Sequence, residues 1–224
     1  GGATRGDADR NLGEGGGGGG GANADASAYA NAGAATRPGL YAPEALRIVG
    51  PLESVESLPG FAEGLFSVQD ESSMLVAHVL GRPRLVIDVC AAPGGKATHI
   101  AELARDEARV VACDVSARKV ALISESARRL GLRSVEAVEC DARELPAEWA
   151  GKADAVLVDA PCAGLGVLAR RADARWRKEP DDVVQLARLQ SEILSAAAAC
   201  VAPGGVLVYS TCTVGRAENA DQAE

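Results

Sequence analysis

From Arg84 onward the chain alternates short apolar runs rich in valine and isoleucine with longer segments whose apolar residues recur every three or four positions. RLVIDVC (84–90), ARVVACD (108–114), SVEAVEC (134–140), ADAVLVD (153–159) and GVLVYST (205–211) read as strands. Lys96–Arg105, Ser116–Leu130 and Asp182–Val201 read as the helices between them. This alternation predicts βαβ units and an α/β fold with a doubly wound, mostly parallel sheet. Ser116 is placed to cap the second helix, Gly131 sits at its C-terminal end, and APGG at 202–205 closes the third before the last strand. Upstream, FSVQDESSMLVAHVL (66–80) reads as an extended piece entering a helix near Asp70, with Met74, Leu75, Val79 and Leu80 as its apolar face.

Composition trims this picture at the N-terminus. Residues 1–37, including GEGGGGGGGANADASAYANAGAA, hold almost nothing that could be buried and read as a disordered Gly/Ala-rich arm. Residues 38–70 read as a linking segment and 71–224 as the principal domain. No charged stretch followed by an apolar core opens the chain, and no apolar run approaches eighteen residues, so neither a secretion signal nor a membrane span is expected. The six cysteines form no C-x-x-C pair, which argues against a disulfide framework and a zinc site and fits a reducing cytoplasm. A net charge of −8 speaks against a protein that grips nucleic acid over its whole surface. Residues 165–178 differ: Arg170, Arg171, Arg175, Arg177 and Lys178 face the single acid Asp173, with Trp176 among them. The segment reads either as a solvated face or as a phosphate-binding surface with an aromatic for stacking.

An open parallel sheet binds ligands beyond the carboxyl ends of its strands, where the strand order reverses. Those ends carry Asp88 to Cys90, Asp114, Cys140 with Asp141, Asp159 to Cys162, and Thr211 with Cys212. The first runs into DVCAAPGGKATHIAE (88–102), whose Gly-Gly pair serves either a tight turn or the close approach of a ligand. It is not the G-x-G-x-x-G of a dinucleotide site. Asp114, 19 residues beyond Gly95, stands where an acid commonly bonds ribose hydroxyls, and Asp141 holds the equivalent place one strand later. A carboxylate-lined cleft without a diphosphate clamp suits a cationic sulfonium nucleoside. Cys90, Cys113, Cys140 and Cys200 read as small core residues. Cys162 follows proline in a glycine-rich loop and Cys212 lies within STCT, so both thiols leave the sheet toward the crevice.

CAAPGGK (90–96), DAPCAGLGVLARRADARWR (159–177), and YSTCTV with ENADQ (209–214 and 218–222) resemble the cofactor loop, proline-cysteine motif and threonine-cysteine motif of the RNA 5-methylcytosine methyltransferases of the RsmB/Sun family. VQDESS (68–73) resembles the motif preceding that family's cofactor fold. The resemblance covers about residues 64–222 and implies a Rossmann-like, S-adenosylmethionine-dependent methyltransferase acting on cytosine C5 in ribosomal or transfer RNA, with no metal. It implies Cys212 as the nucleophile at cytosine C6, Cys162 as the thiol for product release, Asp159 on the cytosine edge and Lys96 placing the base. It also implies a cofactor held by Cys90, Ala91, Ala92, Pro93, Gly94, Gly95 and Lys96, with Asp114 on the ribose, Arg118 beside it, Asp141 near the adenine and Asp159 near the methionine end. RNA contact falls on Arg170, Arg171, Arg175 and Trp176. Family members close the sheet with further strands beyond the position of Glu224, so the domain is expected to lack them. Two other readings stay open: a DNA cytosine-C5 methyltransferase, which leaves STCT unexplained, and a non-catalytic cofactor- or RNA-binding relative, which leaves both thiols unexplained.

Overall fold

The computed structural model describes residues 35–50, 54–168 and 179–224. In chain order it forms β1 (Ala35–Pro38), β2 (Leu46–Val49), α1 (Glu71–Val79), β3 (Leu85–Asp88), α2 (Gly95–Leu103), β4 (Arg109–Asp114), α3 (Ala117–Arg129), β5 (Val135–Glu139), β6 (Ala153–Asp159), α4 (Pro180–Cys200), β7 (Val201–Ser210) and the single turn α5 (Ala220–Ala223). The last five strands make one wholly parallel sheet in the order β5-β4-β3-β6-β7. The chain winds outward from β3 in one direction and then, through β6, in the other, so the strand order reverses between β3 and β6. This is the doubly wound α/β architecture that the alternation predicts.

Successive side chains on a strand point to opposite faces, and the sheet is covered on both. Val86, Val110, Ala112, Ala155 and Leu157 pack with Ala77, Leu80, Ile100 and Ile123 from α1, α2 and α3. Ile87, Val111, Cys113, Val156 and Val158 pack with Ile193, Ala197 and Cys200 of α4. Val86, Val110, Val156, Leu157 and Val158 have no exposed surface, which explains why the strands read as continuous apolar runs. Cys113 and Cys200 are core residues, while Cys90 and Cys140 are partly buried against that second cluster.

Three local expectations are corrected. Ser116 occupies the N-cap of α3, but its hydroxyl makes no capping bond; its backbone N–H donates instead to Asp114 Oδ1 at 3.0 Å. APGG does not separate α4 from the last strand: Val201 already pairs with Ala153, and residues 202–205 bulge out before Val206 pairs with Ala155. Val79 is 67% exposed, whereas Ala77 and Leu80 turn inward, because the face of α1 is set by its contact with α2 and the sheet.

Strands β1 and β2 pair antiparallel as a separate two-stranded hairpin that begins at Ala35, inside the stretch that composition assigns to the arm. The linking segment is pinned to the main body at several points. Glu71 accepts the N–H groups of Tyr41 and Ala42. Glu44 Oε1 lies 2.8 Å from His78 Nε2 and 2.7 Å from buried His99 Nε2. Arg129 donates to the carbonyls of Phe61 and Phe66 and lies over the Phe61 ring. The Glu44–His78–His99 group, which the sequence reading missed, brings one donor atom from each residue within 4.8 Å of the others. No helix among the described residues is long and apolar enough to cross a membrane.

Candidate active site

The sheet order places the strand ends side by side in the sequence Asp141, Asp114, Asp88, Asp159 and Ser210. Asp88 and Asp159 therefore flank the point of reversal. Asp88 is wholly buried; its Oδ1 accepts the Cys90 N–H at 3.3 Å and its Oδ2 has no partner. Burial, aided by the negative charge of Asp159, pushes its carboxyl up to about 7. Asp159 is engaged on both oxygens. Lys96 Nζ, from the first turn of α2, lies 2.6 Å from Oδ2, and the hydroxyl of its cross-strand partner Ser210 donates to Oδ1 at 2.7 Å.

The loop from Cys90 to Gly95 passes through a cis Ala92–Pro93 peptide. Gly94 caps α2 with φ +110°, and a Cβ there would stand 3.2 Å from the Ile123 Cα of α3. Gly94→Ala is expected to cost about 1–3 kcal/mol of stability, read from chemical denaturation. Gly95 has open space instead: a Cβ there meets nothing nearer than Gln69 Cδ at 4.0 Å. Gln69 Nε2 is buried without a partner. An orphaned acceptor on Asp88, an orphaned donor on Gln69 and the open side of Gly95 thus surround this loop. They fit a ligand that is cationic at one point and rich in acceptors elsewhere, as a sulfonium nucleoside with an amino-acid tail is. Gln69 lies within VQDESS, yet nothing local marked it as a site residue.

Asp114 is 7% exposed and pairs with Lys119 at 3.5 Å. Arg118 is exposed in the first turn of α3. Asp141 forms a two-pronged pair with Arg143, whose Nε and Nη2 reach it at 3.0 and 2.6 Å. The Arg143 side chain and backbone hold its carboxyl down at about 2. Arg170, Arg171, Arg175 and Trp176 lie outside the described residues.

The two thiols meet. Cys162 and Cys212, 50 positions apart in sequence, have their sulfur atoms 3.3 Å apart. Their loops touch through the backbone as well: the Gly166 N–H donates to the Cys212 carbonyl at 3.0 Å, and a Cβ on Gly166 would press to 2.9 Å of that oxygen. Burial, followed by the hydrogen bond with Cys212, pushes the Cys162 thiol up to about 11, while Cys212 is exposed. A half-buried, protonated thiol and an exposed one are different reagents.

The family model described as 16S rRNA methyltransferase RsmB/F matches residues 81–224. The chain belongs to this family. It is 48% identical over 162 residues to the probable ribosomal RNA small subunit methyltransferase B of Bacillus subtilis (strain 168), covering 71% of this chain and 36% of that protein. The RsmB/F chain therefore spans little more than a third of the length of that curated relative. Among solved structures, PH0851 superposes with a TM-score of 0.84 at 34% identity, covering 88% of this chain and 45% of that one. NSun6 from Pyrococcus horikoshii, solved with SFG, superposes with a TM-score of 0.70 at 38% identity, covering 80% and 47%. The span matched by the family model includes every strand of the parallel sheet, the Cys90–Gly95 loop and both thiols.

Proposed function

We propose that this RsmB/F chain carries the catalytic part of an S-adenosylmethionine-dependent methyltransferase that forms 5-methylcytidine in RNA, with ribosomal RNA as the favoured substrate. The observation that carries the reading is the pair of sulfur atoms 3.3 Å apart, one exposed and one held protonated, beside the Lys96–Asp159 pair. Family membership and a structural neighbour solved with SFG, an S-adenosylmethionine analogue, support the cofactor.

Cytosine C5 is too poor a nucleophile to attack a sulfonium methyl group unaided. In this reading the Cys212 thiolate adds to C6, and the electron pair displaced from the C5–C6 bond makes C5 enamine-like. The bound cofactor supplies a methyl cation equivalent to C5. Asp159 accepts from the cytosine edge and favours its protonated, electron-poor form, and Lys96 steadies that carboxylate and the base. After methylation a base removes the C5 proton, the C5–C6 double bond reforms, and the Cys212 sulfur leaves with its electron pair. Cys162, beside that sulfur, assists this departure. Asp88 and Gln69 face the cofactor's charged end, the Cys90–Gly95 loop lies along it, and Asp114 takes the ribose. Arg118 and Asp141 belong to the outer part of the same pocket, with Asp141 sharing itself with Arg143.

A DNA-type assignment would give the attack to Cys162, the half-buried and protonated thiol, and leave the exposed Cys212 idle, so the arrangement favours RNA. The test is incubation with labelled S-adenosylmethionine and unmodified ribosomal RNA, followed by nucleoside analysis. Label in 5-methylcytidine supports the proposal; label elsewhere, or in no nucleoside with cofactor-competent protein, contradicts it.

Asp88 provides a pH signature. A carboxyl raised to about 7 must release its proton when a cation binds beside it. Cofactor affinity should thus fall on acidification below about pH 7, by up to roughly tenfold per pH unit, and level off above it. Calorimetry in buffers of different ionisation heat should detect proton release near neutrality, and Asp88→Asn should abolish it. For the cofactor-free protein the sign is opposite. The folded state holds this proton more tightly than the unfolded chain, so Asp88 lowers stability as pH rises from the ordinary aspartate range to about 7.

A further inference from the structure

Nothing in the chemistry above explains how two loops 50 residues apart in sequence keep their sulfur atoms in contact. Beneath them lie two consecutive residues, each bonded to one loop. Glu218 has no exposed surface, and its Oε1 accepts the Ala163 N–H at 2.9 Å and Gln190 Nε2 at 3.0 Å. The same Gln190 nitrogen donates to the Pro161 carbonyl at 2.8 Å. The residues on either side of Cys162 are thereby tied to Glu218 directly and through Gln190. Asn219 does the same for Cys212. Its Oδ1 accepts the Thr211 hydroxyl at 2.7 Å, and its Nδ2 donates to the carbonyls of Thr213 at 3.4 Å and Gly215 at 2.7 Å. The Tyr209 hydroxyl donates to the Glu218 carbonyl at 2.8 Å, which fixes the pair to the end of β7.

A buried carboxylate is costly unless it is hydrogen-bonded; Glu218 commits its Oε1 to this tie, while its Oε2 has no partner among the described residues. Here the partners are the Ala163 N–H and, through Gln190, the Pro161 carbonyl around one thiol, and the Thr211 hydroxyl with the Thr213 and Gly215 carbonyls around the other. We infer that Glu218 and Asn219 act together as positioning residues that hold the two thiol loops at one separation. Cys162 then stays within reach of a base bonded to Cys212. This inference rests on the paired roles proposed for the two thiols, and Gln190 is its third member.

The test reads the thiol separation independently of methyl transfer. Phenylarsine oxide condenses with two neighbouring thiols to form two As–S bonds and release one water, and peptide mapping locates the pair. Wild-type protein should take up the reagent across Cys162 and Cys212. Glu218→Ala and Asn219→Ala should weaken that capture by roughly tenfold or more, since small misplacements carry large penalties in reactions between fixed groups. Glu218→Gln keeps the acceptor oxygen and should stay within about threefold of wild type. In turnover, Glu218→Ala should lower kcat with the cofactor KM unchanged, and Glu218→Gln should restore it. If Glu218→Ala does not fold cooperatively, Gln190→Leu carries the same expectation. Undiminished capture in a folded Glu218→Ala or Gln190→Leu variant overturns the inference. So does Glu218→Gln as impaired as Glu218→Ala, or failure of wild type to capture the reagent at this pair. Capture that depends on Glu218 in a protein that methylates no RNA would uphold the positioning role and refute the proposed function instead.

Discussion

Replacing Cys212 by serine is expected to lower kcat for methyl transfer by roughly 10³-fold or more, equivalent to about 4 kcal/mol of barrier, while leaving the fold and cofactor affinity nearly unchanged. A serine hydroxyl at this position has no base within the described contacts to ionise it, whereas a thiol ionises far more readily. Cys212 is exposed and its side chain touches the Cys162 sulfur rather than the core, so stability should move by about 0.5 kcal/mol or less. Single-turnover methylation, paired with a denaturation curve, checks both halves. A folded Cys212→Ser protein with wild-type turnover would remove the thiol from the chemistry.

The second large effect is expected at Asp159. Asp159→Ala should reduce turnover by roughly 10²–10⁴-fold, because it removes the acceptor for the base and strands Lys96, whose side chain is 15% exposed. It should also act at a distance. The charge of Asp159 helps to raise Asp88, so removing it should bring the Asp88 carboxyl down. The pH at which cofactor affinity levels off should then shift below 7. Measuring that shift separates the electrostatic role of Asp159 from its contact with the base. Lost turnover with an unmoved pH profile would mean that Asp88 and Asp159 do not share one electrostatic site.

The sheet and its helices were legible because periodicity is local information: strands buried on both faces read as apolar runs, and the β6 run 153–159 coincides with the observed Ala153–Asp159. The thiol pair was legible for a related reason, since each cysteine follows a strand end and adjacent parallel strands bring those ends together. What stayed hidden depends on which distant segment a side chain meets. Glu218 lies 55 positions from the N–H it accepts, and Glu44 lies 55 from His99. Asp141 could be read as a strand-end acid, but its two-pronged pairing with Arg143 depends on how the next turn folds back. The bulge in β7 was concealed because Ala202–Gly205 has the composition of a helix stop, although Val201 had already joined the sheet.

The central claim is a covalent bond between Cys212 and cytosine C6. RNA containing 5-fluorocytidine tests it directly, because fluorine at C5 leaves no proton to remove after methylation and the adduct cannot collapse. Incubated with S-adenosylmethionine and this RNA, the wild-type protein and Cys162→Ser should each yield a denaturation-resistant complex whose modified peptide contains Cys212, and Cys212→Ser should yield none. A modified peptide containing Cys162, or no complex from folded protein that binds the cofactor, would contradict the account.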